Sequence, residues 1–116
     1  MRDMKLLLHV TDDNRWSVAL GNAANFINDV GEDRAQVIIV ANGSGVFSFA
    51  QPDRLMEILS GKGVEFRACR NSLQKLFAAG KGCTGEEGLP PYVKVVPAGM
   101  TEIVRLHKEG FAYVRP

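Results

Sequence analysis

At 116 residues, 46% of them hydrophobic and 23% charged, the chain has the size and composition of one globular domain, and a disordered, collagen-like or disulfide-stapled protein is excluded. Fourteen Lys and Arg against thirteen Asp and Glu leave a net charge of +1, too even for the basic footprint of a nucleic-acid binder. The apolar run Leu6–Val10 is too short for a signal peptide and carries His9, and no stretch approaches the ~20 apolar residues of a membrane span.

Taken in chain order, short apolar and β-branched runs predict strands at Leu6–Val10, Val37–Ala41, Val64–Ala68, Val93–Val96 and Phe111–Val114. Segments of helical period lie between them. Trp16, Ala19, Leu20, Ala23, Phe26, Ile27 and Val30 form one stripe that stops at Gly31, with Asp13 placed to cap it. A second helix carries Leu55, Met56, Ile58 and Leu59 and stops at Gly61. A third carries Leu73, Leu76 and Phe77 and stops at Gly80. In the fourth, Met100, Ile103, Val104 and His107 form the apolar face, and Gly110 ends it. Alternating strands and helices over residues 1–116 predict a single three-layer α/β/α domain with a five-stranded, mostly parallel sheet and helices on both faces. The segment Gly80–Pro91, with four glycines and two prolines in twelve residues, reads as a surface loop.

Ligands of open α/β sheets sit outside the carboxyl ends of the strands. That rim collects His9–Asp13, then Asn42, Gly43, Ser44 and Gly45, then Cys69, Arg70, Asn71 and Ser72, and finally Pro97–Gly99. Cys69 ends a strand and opens a helix, where unpaired N–H groups and the positive end of the dipole favour a thiolate, with Arg67 and Arg70 as further sources of positive charge. The same position suits a small buried cysteine with a packing role only. Asn42–Gly45 is glycine-rich enough to approach an anion, but it matches neither GxGxxG nor a P-loop, so no nucleotide or other cofactor is expected. His9 is a candidate acid/base or ligand-lining group beside Cys69. Asn22 and Asn25 share one face of the first helix. Cys83, in the glycine-rich loop, is a candidate resolving thiol, a swinging carrier or an incidental exposed cysteine. Two cysteines are too few for a disulfide framework, form no CxxC and lack paired histidines for zinc. No metal is expected, and reduced thiols in the cytoplasm are.

The ordered set Leu7-Leu8-His9-Val10, Ala19–Asn25, Val40-Ala41-Asn42-Gly43 with Gly45-Val46, Gly63–Leu73, Val93–Gly99, Glu102-Ile103-Val104 and Gly110–Val114 resembles the small DsrE/DsrF-like proteins of intracellular sulfur oxidation and sulfur relay. The resemblance runs through essentially the whole chain from Lys5. It implies a flavodoxin-like α/β/α domain, assembly into homotrimers or hexamers, and a cysteine after the third strand that carries a persulfide, a place Cys69 occupies. Many relatives carry histidine at the position of Asn42, and the Lys81–Pro91 connection is longer than theirs. The expected function is sulfur relay through a Cys69 persulfide, with donor and acceptor proteins as partners. The alternative is a non-enzymatic oligomeric module that binds a small anion at the rim and keeps Cys69 for packing. Trp16, Phe47, Phe49 and Tyr113, large rings at element ends, add an expectation of an association patch.

Overall fold

The computed structural model describes residues 2–80 and 85–116; Cys83 lies outside them. Its strands are β1 (Met4–Val10), β2 (Ala35–Ala41), β3 (Glu65–Cys69), β4 (Val93–Val96) and β5 (Ala112–Val114). Its α-helices are α1 (Trp16–Val30), α2 (Arg54–Gly61), α3 (Arg70–Ala78) and α4 (Gly99–Lys108). All strand pairs are parallel, in the order β4-β3-β2-β1-β5. Flavodoxin runs 2-1-3-4-5; here β5 lies outside β1. Among the described residues no helix is long and apolar enough to cross a membrane.

The strand order dictates the layers. The chain steps from β1 to β4 in one direction across the sheet, and α4 then carries it back to β5. Right-handed crossovers in opposite directions must lie on opposite faces. The two cores follow from this. On one face, Ala19, Leu20, Ala23 and Ile27 of α1, Met56 and Leu59 of α2, and Leu73 of α3 pack on Leu8, Val10, Val37, Ile39, Ala41, Phe66 and Ala68. On the other, Leu106 of α4 and Phe111 cover Leu7, Ile38 and Val40. Alternation along each strand sends successive side chains to opposite faces, so the full layer and the single helix each receive half of the apolar strand residues.

Several local expectations are corrected. Helix α2 does not stop at Gly61. It includes that residue, Lys62 caps it, and Gly63 takes the left-handed conformation at φ +95°. The Gly63 N–H reaches Ser60 O and the Val64 N–H reaches Leu59 O, the paired bonds of a Schellman stop. Asp13 does not cap α1; it opens a short 3-10 turn (Asp13–Arg15), and its carboxylate accepts from the Ser48 hydroxyl. Trp16 and Phe49 belong to no surface patch. They lie edge to face, 5.2 Å apart, inside the larger core, and the Trp16 indole donates to Gly45 O at 2.7 Å. Asn22 and Asn25 are exposed.

Helix α4 departs most. Gly99, Glu102 and Leu106 face the sheet, while Met100, Val104 and His107, expected to be buried, are exposed. The helix is turned by roughly one residue's step, ~100°, from the orientation its apolar stripe predicts. The cause lies in β3. Arg67, central in that strand and 8% exposed, requires a carboxylate, and Glu102 supplies it with Arg105 as a second partner at 2.8 Å.

Candidate functional site

Connections leave β1, β2 and β3 toward one face and leave β4 toward the other. Neighbouring β3 and β4 therefore part at their carboxyl ends, the place where open α/β sheets form a crevice. Cys69 closes β3 and stands at the N-cap of α3, while Gly99 opens α4 on the facing side. The β2–β3 register, last paired at Ala41 and Ala68, brings Asn42 alongside Cys69. A Cβ added to Gly99 would lie 3.3 Å from the Cβ atoms of both Asn42 and Cys69 and 3.7 Å from Cys69 Sγ. Only glycine lets the start of α4 come this close.

The thiol of Cys69 is buried, with the residue 6% exposed. Burial pushes its pKa up, but the Ser72 hydroxyl and the backbone N–H groups of Ser72, Gly99 and Asn71 outweigh that and hold it below the ordinary thiol value. The N-termini of α3 and α4 thus both stand beside this sulfur. Neither arginine takes part. Arg67 turns onto α4 to pair with Glu102, and Arg70 reaches Glu86, within the Gly80–Pro91 segment, at 2.8 Å. The lowering of the thiol pKa has neighbouring polar groups as its cause and no cation among them.

Ser72 ties this sulfur to the loop after β2, because its Oγ also accepts the Gly43 N–H at 2.8 Å. The Gly45 N–H bonds to Asn42 O and Thr11 O, and a Cβ on Gly45 would fall 2.4 Å from Val10 O. Ser44 Oγ accepts the Asp13 N–H. The N–H groups of Gly43 and Gly45 are therefore engaged within the protein, and the glycines serve the close passage of β1 rather than an open anion cradle. A hollow of about 290 Å³ beside this loop is lined by Ser44, Ser72 and Lys75 among others, so an approach to Ser72 carries one cation. A larger one, about 440 Å³, lies between Phe49, Glu57, Leu89 and Tyr92 and offers no nucleophile.

His9 is 4% exposed, and its hydrogen bonds run to Tyr113 and Asn42 rather than to Cys69. Its Nδ1 meets the Tyr113 hydroxyl at 2.6 Å and its Nε2 meets Asn42 Oδ1 at 3.0 Å. Burial lowers its pKa, more than the bond to Asn42 raises it, and Arg115 adds to the lowering. The ring is neutral near pH 7. Tyr113 as a partner of His9 was not foreseeable from spacing, since the two residues are 104 positions apart and meet only because β5 pairs with β1. Among the described residues no group of three or more His, Cys, Asp or Glu side chains is placed to hold a metal ion.

No family model matches the chain, and no curated protein does. Among solved structures it is similar to the "Protein of Unknown Function MTH1491 from Methanobacterium thermoautotrophicum", with a TM-score of 0.83 and 30% identity over 98% of this chain and 100% of that one. Identity at that level over the full length of both chains carries common descent as well as a common fold, and the chain belongs to the family of MTH1491.

Proposed function

We propose that this protein is a sulfur carrier of the DsrE-like kind, in which Cys69 accepts and passes sulfane sulfur as a persulfide. The observation that carries the reading is the placement of Cys69 at the N-cap of α3 in the sheet's crevice, with Gly99 and the start of α4 packed against its sulfur. The Cys69 thiolate attacks the outer sulfur of a donor persulfide, forming a new S–S bond as the donor's inner sulfur leaves as a thiolate. An acceptor thiolate then attacks the outer sulfur now on Cys69, takes it, and releases the Cys69 thiolate. Nothing is oxidised overall, and no cofactor is needed. The reducing cytoplasm is the compartment that keeps such a thiol available.

The test is mass spectrometry after incubation with inorganic polysulfide. A gain of one sulfur atom on the peptide that carries residue 69 is expected in the wild type and in Cys83→Ser, and none on that peptide in Cys69→Ser. The burial of Cys69 favours the competing reading, a binding module with a structural cysteine, and absence of the adduct at residue 69 in the wild type and in Cys83→Ser would remove the carrier reading.

We also infer that the chain works as a homo-oligomer, a trimer or hexamer by the stoichiometry of the DsrE-like resemblance. Support comes from α4, the single helix on its face of the sheet, which leaves Met100 54%, Val104 56% and Tyr113 44% exposed. Val104 and Tyr113 also line an apolar hollow of about 360 Å³ together with Ile103, His107 and Lys108.

A further inference from the structure

Asn42 occupies the N-cap position of a 3-10 turn (Gly43–Phe49), yet its side chain makes no cap hydrogen bond. Asparagine at such a position ordinarily turns its oxygen onto the following N–H groups. Here that oxygen is held by His9 instead, at 3.0 Å. The direction of the chain of bonds follows from chemistry. Oδ1 of an amide only accepts, so His9 Nε2 carries the hydrogen; the neutral ring then leaves Nδ1 bare, and the Tyr113 hydroxyl donates to it at 2.6 Å. Each bond polarises the next. The amide is thereby locked with its –NH2 end directed away from His9. That –NH2 meets no acceptor among the described residues, and Asn42 is half-buried.

The free end matters because of what stands beside it. Asn42 and Cys69 flank the gap that Gly99 leaves by having no side chain, and Cys69 Sγ borders the same gap. The groups that lower the Cys69 pKa, from Ser72, Gly99 and Asn71, act on the charge at Sγ itself. A persulfide adds a second sulfur beyond Sγ that carries the negative charge and needs a donor of its own. We propose that Asn42, held in orientation by the Tyr113–His9 chain, donates its amide N–H to the outer sulfur of the Cys69 persulfide. Asn42 is then the group that touches the transferred atom, and His9 and Tyr113 are positioning residues. This inference rests on the sulfur-carrier reading and adds to it the residue that distinguishes persulfide from thiol.

The distinction supplies the test. Alkylation rate against pH is measured for Cys69 in its thiol and its polysulfide-loaded forms, in a Cys83→Ser background. Loss of one hydrogen bond to a charged sulfur weakens proton release about tenfold or more. Asn42→Ala is therefore expected to raise the persulfide pKa by about one unit while moving the thiol pKa by much less. Tyr113→Phe, a change at an exposed ring that leaves the core untouched, is expected to move the persulfide in the same direction by a smaller amount. Asn42→Gln is expected to recover part of the loss. Light scattering on each variant confirms that assembly is unaltered. Loading with unchanged persulfide pKa in both Asn42→Ala and Tyr113→Phe overturns this inference alone. Equal shifts of thiol and persulfide overturn it too, since they mean a general disturbance of the site. Failure of the wild type to load removes the carrier reading and this inference with it.

Discussion

Ser72→Ala is the sharpest perturbation of the thiol site, because the Ser72 hydroxyl leads the lowering of the Cys69 pKa and also accepts the Gly43 N–H. A hydrogen bond to a charged group contributes about 1.5–3 kcal/mol, so its loss should raise the Cys69 pKa by about one to two units, the backbone donors remaining. The Gly43 N–H is at an exposed residue where water replaces the hydroxyl, which adds a pH-independent loss of about 0.5–1.5 kcal/mol. Linkage sets the sign of the rest. A thiol whose folded pKa is depressed contributes stability that is fully present above its unfolded pKa, about 8.5, and is lost as pH falls through the folded value. The stability difference between wild type and Ser72→Ala should therefore be larger near pH 9 than near pH 6, by roughly 1–2 kcal/mol. Two assays read it: the midpoint of alkylation rate against pH, in a Cys83→Ser background, and urea unfolding at both pH values at fixed protein concentration. A wild-type midpoint at or above about 8.5 refutes the thiolate cradle. Equal midpoints in wild type and Ser72→Ala remove Ser72 from it.

Gly99→Ala puts a methyl 3.3 Å from the Cβ atoms of Asn42 and Cys69, so the start of α4 must retreat; a loss of about 1–3 kcal/mol in denaturant unfolding and a raised Cys69 pKa are expected together. Glu102→Gln leaves buried Arg67 with only Glu65 at 3.2 Å and should cost about 3 kcal/mol at neutral pH. Burial raises the Glu102 pKa, but Arg105 and Arg67 lower it more, so the pair's contribution is present above the ordinary carboxylate range and fades as pH falls through the lowered value; urea midpoints of wild type and variant should converge there. Light scattering should give a mass of several chains for the wild type and a smaller one for Val104→Glu, and a wild-type mass near 12.7 kDa across a dilution series would remove the oligomer.

The elements were legible where burial makes sequence simple. β1 and β2 are covered on both faces, and their near-continuous apolar runs mark them without ambiguity. The facing of α4 was not legible by the same rule, because hydrophobic periodicity assumes that the apolar stripe is the buried one. Met100, Val104 and His107 form a good stripe and face outward. A different signal was present in the residues. Arg67 sits in the middle of a strand between Phe66 and Ala68, and a charge there must find an opposite one. Glu102 is the carboxylate that the returning helix provides, and it fixes which side of α4 turns inward.

The thiol site shows a similar division between what spacing and topology supply. Cys69 at the end of a strand and the start of a helix is visible in the sequence, and so is the gathering of Asn42, Ser72 and Gly99 along one rim. What no spacing contains is the strand order. Only when β4 lies beside β3 do their connections diverge, and only then does α4 begin against the sulfur and add the Gly99 N–H to those of Asn71 and Ser72. Likewise, only when β5 lies beside β1 does Tyr113 come to His9. The same return of the chain by α4 creates both contacts, since it ends β4's side of the crevice and delivers β5 to the far edge. The arginines, which from sequence looked like the source of the thiol's acidity, are drawn off by Glu102 and Glu86. What remains to lower the thiol pKa is the Ser72 hydroxyl first and then the backbone N–H groups of Ser72, Gly99 and Asn71. The chemistry of the site is thus fixed by where two helices start, and its selectivity by the few side chains, Ser72 and Asn42, that stand beside them.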